Sequence, residues 1–468
     1  MLLSTLAALA IVTQDQAALR VSPRDSAQQQ TVLTQGDALE IRGTRMDYLQ
    51  VYDHRRERAG YVRATQVRPI STEAADAPDL LSVLRFVRDA PGQEALGIAY
   101  AAAYLKAAPV EAITAEPFDA LGSMADRLAQ RASARQGKVD GPRLAAALEV
   151  AASYGVVIGS FERDGQIQLC YDGDAFRRVL ALPSSDEQRA RAALALTRHD
   201  CVDPNLGPVQ GQVLDLWRAE VLDQVDLKNL PDTLKNRVRL RRAGVWAGLA
   251  FAHAHRGEPA AGSAERALQE LAAINKAELA DEDLAVYNEA AVRVGASLWA
   301  AEPESKPNPR LGITTVAGEP GETCVLLTDA KHDARSPLVK RCTYSTVWPA
   351  SAAINANATV LTLAVQPMPS WRELWVFRKT GDVWTADVLP PASSDPGIGY
   401  AEFAGWVPGS RQMLVTREAK VSGRWLRSFE VVQLDTLNTE KRADRPEALS
   451  LFYRWQSAAW KNQTVSLR

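Results

Sequence analysis

The part of this chain that most limits how it can fold is its alanine-rich middle, roughly Leu80 to Ala300 and clearest from Leu234 to Ala300. In Ala243-Gly244-Val245-Trp246-Ala247-Gly248-Leu249-Ala250-Phe251-Ala252, small residues alternate with Val245, Trp246, Leu249 and Phe251. Apolar positions recur at three- and four-residue steps, as a buried helix face requires. Gly257-Glu258-Pro259 ends that helix. A second carries Leu268, Leu271 and Ile274, and a third, Asp281 to Ala300, carries Leu284, Tyr287, Ala291, Val294 and Leu298. Alanine lets helix axes approach closely, so the expectation is stacked antiparallel hairpins. They form either a plain bundle or an array of the tetratricopeptide kind, although no period of about 34 residues is visible. Helices are also expected over Leu80 to Val87, Gln93 to Ala107, Ala115 to Arg135, Gly141 to Tyr154 behind Pro142, and Asp186 to Leu196. Val156 to Tyr171 breaks the helical period and is expected to be a β-hairpin around Arg163-Asp164-Gly165.

At 468 residues the chain should hold about three domains. Its 46% hydrophobic and 24% charged residues suit a soluble globular protein. A net charge of −2 supplies no bulk field for nucleic acid or anionic membrane. The local basic run Lys235 to Arg242, with Arg237, Arg239, Arg241 and Arg242, is expected to be a solvated helix face that makes ion pairs.

The four cysteines fall as two pairs with no Cys-x-x-Cys. Local disulfides Cys170–Cys201 and Cys324–Cys342 in an oxidising compartment fit this spacing, with four reduced thiols as the alternative. The apolar run Leu2 to Val12 is too short to span a bilayer and fits the centre of a secretory signal over residues 1–17. No Lys or Arg precedes it, and a buried strand is the other reading.

Residues 18–70 show short alternating strands: Leu19-Arg20-Val21, Gly36-Asp37 leading into Ala38 to Ile41, Tyr48 to Tyr52, and Gly60-Tyr61-Val62. On these motifs the stretch resembles the bacterial SH3-like (SH3b) domain. It departs from that family in having Ser22-Pro23-Arg24 after the first strand and Tyr48 where Trp is common. The resemblance implies a small β-barrel and an exported bacterial protein, periplasmic or secreted. It does not fix a ligand: Tyr48, Tyr52 and Tyr61 are read either as an aromatic groove for a peptide or as barrel core and rim.

A polar linker, Ser71 to Asp79, leads into the helical domain, taken as residues 80–300. Ala301 to Arg310, with three prolines, closes it. Eight of the eleven tryptophans lie between Trp348 and Trp460. Residues 311–468 are read as an all-β domain with strands at Cys324 to Thr328, Thr359 to Val365, Glu373 to Phe377, Trp384 to Val388, Met413 to Arg417 and Ser428 to Leu434. A weak repeat relates Val347-Trp348-Pro349-Ala350-Ser351 and Leu374 to Phe377 with Gly405 to Ser410 and Phe429 to Val432. The Trp-x-Pro-x-Ser turn between strands resembles TolB-type β-propeller blades; an open or sandwich-like sheet is the alternative. Trp371 and Trp425 follow turn residues and are the better candidates for exposed anchors for a protein or glycan, whereas Trp375 alternates with Phe377 and belongs to the core; the other reading is that these tryptophans all fill sheet cores.

Gly-x-Ser-x-Gly, His-Glu-x-x-His, Gly-x-x-x-x-Gly-Lys and Gly-x-Gly-x-x-Gly are all missing from the sequence. His253 and His255 lie two apart on a helix and point to different sides. His199-Asp200-Cys201 reads as a helix end beside a disulfide rather than a thiol nucleophile. The expectation is therefore a multidomain α+β envelope protein that is not an enzyme. It takes no cofactor or metal, does not span a membrane or bind nucleic acid, and binds or scaffolds a protein, peptide or cell-wall component. A cell-wall hydrolase without a recognisable motif is the competing class.

Overall fold

The computed structural model describes residues 8–134, 140–163, 165–303, 310–393, 397–409 and 411–463. The architecture is mixed α/β, with an N-terminal sheet, a helical middle and C-terminal sheets. The chain divides into two compact units, Met1–Leu206 with Gln224–Leu230, and Gly207–Asp223 with Pro231–Arg468. The helical stretch read as one domain is thus shared between the units.

The first unit opens with a seven-stranded antiparallel sheet. Its strands are β1 (Ala8–Val12), β2 (Ala17–Arg20), β3 (Gln29–Leu33), β4 (Ala38–Arg45), β5 (Tyr48–Asp53), β6 (Arg58–Arg63) and β7 (Val67–Ile70). They run in the order β3-β2-β6-β5-β4-β1-β7. Alternate side chains, among them Leu19, Leu33, Leu39, Leu49, Val51 and Val62, fill one core. The sheet begins at Ala8, inside the stretch expected to be a signal, rather than at Ala18. β1 pairs with β4 on one side and β7 on the other. Ala10 and Val12 enter the sheet core while Ile11 packs on the helices, so the strand is buried on both faces and reads as one continuous apolar run. Residues 1–7 of the expected signal lie outside the described residues.

Helices α1 (Ala77–Val87), α2 (Glu94–Ala107), α3 (Glu116–Ala134) and α4 (Gly141–Ser153) follow, then the hairpin β8 (Ile158–Arg163) and β9 (Gln166–Tyr171), then α5 (Asp174–Ala181) and α6 (Asp186–Leu196). The expected helix limit Arg135 and the turn residue Asp164 are outside the described residues. Ser185 caps α6, accepting from the Gln188 amide at 3.2 Å while the Gln188 side chain accepts from the Ser185 amide at 3.0 Å. The turn before β4 docks tightly on the helices. Gly36 has φ +94, and a Cβ there would lie 2.7 Å from the Ala95 carbonyl oxygen. The Tyr154 hydroxyl donates to the Gly36 carbonyl at 2.8 Å. Cys170 on β9 is bonded to Cys201 at the end of a short 3-10 turn, with a Cα separation of 5.7 Å.

In the second unit, α7 (Pro208–Asp223), α8 (Asp232–His255), α9 (Ala261–Ala272) and α10 (Leu284–Ser297) pack through small residues. Ala243 and Ala247 of α8 meet Ala267 and Leu271 of α9 and Tyr287 and Val294 of α10. The basic run is not wholly solvated, as had been expected. Arg237 does pair with Asp283, at 2.9 Å. Arg242 is buried and donates to the Leu222 carbonyl at 2.7 Å, because its face of α8 is the one packed against α7.

The remaining strands form three successive groups. The first is β10 (Gly312–Ala317), β11 (Thr323–Thr328) and β12 (Val339–Thr343). A meander of β13 (Thr346–Ile354), β14 (Val360–Met368), β15 (Trp371–Thr380) and β16 (Val383–Leu389) follows, then another of β17 (Gly399–Trp406), β18 (Gln412–Val421), β19 (Arg424–Gln433) and β20 (Thr439–Ala443). Helices α11 (Ser450–Trp455) and α12 (Ala458–Gln463) end the described chain. The groups stack in chain order. Val325 and Leu327 pack on Leu363, Trp375 and Phe377. Leu374 and Val376, on the other face of β15, pack with Ala401, Met413 and Val415. Phe429 and Val431 turn away from those residues to meet Phe452 and Trp460. The two meanders join at a fork. One edge of β15 pairs in parallel with β17 through Trp371↔Gly399 and Arg372↔Tyr400, then in antiparallel with β16 from Leu374 to Thr380. Cys324 and Cys342 sit directly opposite one another on β11 and β12 and are bonded.

Candidate functional site

The register of β5 and β6 brings the three expected tyrosines to one face. Tyr48 pairs with Arg63, Gln50 with Tyr61 and Tyr52 with Ala59. Paired residues on antiparallel strands point the same way, so Tyr48, Tyr52 and Tyr61 share the face opposite Leu49, Val51 and Val62. Arginines overlie two of the rings: the Arg42 guanidinium lies 4.1 Å from the Tyr52 centroid and that of Arg63 5.4 Å from Tyr48. Tyr52 and Tyr61 are half-buried and accessible from the face. Tyr48 is not a groove wall: it is 4% exposed, and its hydroxyl donates to the Asp25 carboxylate, which also receives Arg63. The Arg63 and Tyr48 donors together hold the Asp25 carboxyl down at about 2. Glu40, opposite Tyr52, accepts from Arg42 and binds His54 at 2.6 Å.

The expected tryptophan anchors do not form a patch. Trp371 is 3% exposed, because the start of β15 lies at the fork and β17 pairs beside it. Trp425 is half-buried on β19, and β17 and β18 separate the two strands. Trp375 is in the core with Phe377, as its alternation implied. His253 contacts Ser263 and His255 contacts Thr346, so the two histidines face different neighbours. Cys201 is committed to its disulfide. Among the described residues, Glu322, Cys324 and Cys342 are one group with ligand atoms close enough to share a metal, and both sulfurs there are tied to each other.

The sequence reading missed a polar cluster at the fork. Arg372 is wholly buried; it donates to Glu402 Oε2 at 2.8 Å, donates to the Gly295 carbonyl, and lies over the Tyr400 ring. Trp460 Nε1 donates to the other Glu402 oxygen at 2.8 Å. Tyr400 donates to Glu418 at 2.9 Å, and Glu418 also receives Arg427. Above this cluster, between the two meanders, lies a cavity of about 380 Å³. Its lining includes Ala352, Ala353 and Ala364 and the aromatic residues Trp299, Phe403, Trp406 and Trp460. Register breaks in β13, between Trp348 and Ala353, and in β17, between Phe403 and Gly405, fall at its rim, where bulges re-aim side chains. The one sequence signal was the internal repeat, whose two copies contribute Ala350 and Ser351 on one side and Trp406 on the other.

Comparison with family models, curated proteins and solved structures finds no match to this chain. No helix among the described residues is long and apolar enough to cross a membrane.

Proposed function

We propose that this chain is an exported, non-catalytic envelope protein that binds or scaffolds a cell-wall, peptide or protein partner. The observation that carries the reading is the β5–β6 face, where Tyr52 and Tyr61 stand diagonally across the strand pair, with Arg42 over Tyr52 and Arg63 over the neighbouring Tyr48. Tyrosine offers broad contact area with a donor at its tip, and arginine adds directional hydrogen bonds to peptide carbonyls and carboxylates. In this reading the N-terminal sheet is an SH3-like domain and its tyrosine face holds an extended peptide. The three face-to-face strand groups are blade-like layers of an open, propeller-related fan. The two disulfide-bonded pairs support export to an oxidising compartment.

Incubation of the purified protein with peptidoglycan, followed by sedimentation, tests the reading. Retention in the pellet that falls at least about tenfold in a Tyr52→Ala/Tyr61→Ala variant is the expected result, on the scale of interface hot spots. Release of soluble fragments would instead establish a hydrolase.

A further inference from the structure

We propose that the cavity between the two meanders is a binding site for a small organic cation, a quaternary or tertiary ammonium. The site is separate from the tyrosine face and does not depend on what that face binds. Its volume, about 380 Å³, is within the range of small-ligand pockets. Four aromatic side chains, three of them tryptophans, line it. A ring presents its negative face to a cation, and tryptophan does so most strongly. The charged residues lining the cavity among the described residues are Glu302 and Glu402, both carboxylates; no Lys, Arg or His lines it.

The geometry also fixes these groups before any ligand arrives. Trp460 is held by its Nε1 bond to Glu402, and Phe403 and Trp406 pack against each other with ring centroids 4.5 Å apart. Arg372 holds the Glu402 carboxylate from behind and is not itself among the lining residues. A cation therefore meets the aromatic residues and the exposed Glu302 carboxylate, with Glu402 already bound by Arg372 and Trp460, while an anion finds no Lys, Arg or His among the described lining residues. The lining residues Ala352, Ala353 and Ala364 have no polar side-chain atom, so they suit the methyl groups of an alkylammonium better than a strongly hydrated metal ion or a primary ammonium.

The test is isothermal titration of the full chain with choline and, in parallel, with its neutral carbon isostere 3,3-dimethyl-1-butanol. The two have the same shape and differ in charge, so the expected result is choline binding about tenfold tighter, on the scale of a desolvated cation–π contact. Trp406→Leu, which keeps an apolar side chain, should weaken choline about tenfold and leave the isostere within about twofold. Glu302→Gln, at an exposed position, should weaken choline without altering the fold. Phosphocholine distinguishes the source. If it binds as well as choline, a lipid headgroup can deliver the cation; if it binds more weakly, the ligand is a free cation. Equal affinity for choline and the isostere, or no heat from choline in a chain whose circular dichroism is native, overturns the proposal.

Discussion

Replacing Arg372 by methionine should test how the fork is held. The side chain is 0% exposed and ties three elements together: β15, which carries it, β17 through Glu402 at 2.8 Å, and α10 through the Gly295 carbonyl. Methionine fills much of the same space but leaves the Glu402 carboxylate, 12% exposed, without its cation. Removing one member of a buried pair costs about 3–5 kcal/mol, and the residual exposure of Glu402 places this case near the lower end, about 3 kcal/mol. Removing both charges, in Arg372→Met/Glu402→Leu, should recover part of that loss, because no lone carboxylate stays buried, although Trp460 Nε1 and the Gly295 carbonyl then lose these bonds. Urea unfolding followed by tryptophan emission at pH 7 measures this. A single variant within about 1 kcal/mol of the parent at pH 7, or a double variant no more stable than the single one, would refute the reasoning.

Other expected outcomes rest on separate features. Gly36→Ala should lower thermal stability by about 2 kcal/mol or more, because φ +94 disfavours a side chain and the new Cβ would lie 2.7 Å from the Ala95 carbonyl; an unchanged melting point would be contrary. Opening Cys170–Cys201, whose partners are 31 residues apart, with paired serine substitutions should cost about 3–4 kcal/mol, and alkylation without reductant should label neither cysteine of the parent. The Asp25 carboxyl should titrate at about 2 in an NMR pH series. Since that pKa is depressed, its contribution is present above the unfolded value of about 3.9 and fades as pH falls through the folded one. A midpoint near the unfolded value would remove the Arg63 and Tyr48 bonds from the account.

The helices were legible because their apolar positions repeat at helical steps between Gly and Pro breaks. α1 to α4 and α6 begin and end within a few residues of those marks. β1 stayed open between a secretory signal and a buried strand because it is buried on both faces, so the period of two that marks a half-exposed strand is missing. β13 and β17 were hidden by their own irregularities, Pro349 in one and the bulge at Gly405 in the other. Trp371 follows a turn, which favours exposure locally, but pairing with a strand 28 residues later in sequence covers it, and no local pattern encodes that pairing. The tyrosine face was readable because alternation along β5 sets three even-numbered positions on one side. The cavity was not, because its walls come from Trp299 before β10, Ala364 and Trp406 in the two meanders and Trp460 in α12, residues far apart in sequence that no local pattern brings together.

The fork also has a consequence for the order of assembly. Within each meander every strand pairs with its neighbour in sequence, so each can zip up from hairpins that close short loops and form early. Among the described residues, two residue pairs of main chain, Trp371↔Gly399 and Arg372↔Tyr400, stitch one meander to the other. That seam closes only after both meanders exist. Until then the N-terminal end of β15 is an open edge that another chain's strand can enter. Crowded, newly made copies of this protein are therefore most exposed to domain swapping at this junction, with β17 of one chain completing β15 of the next.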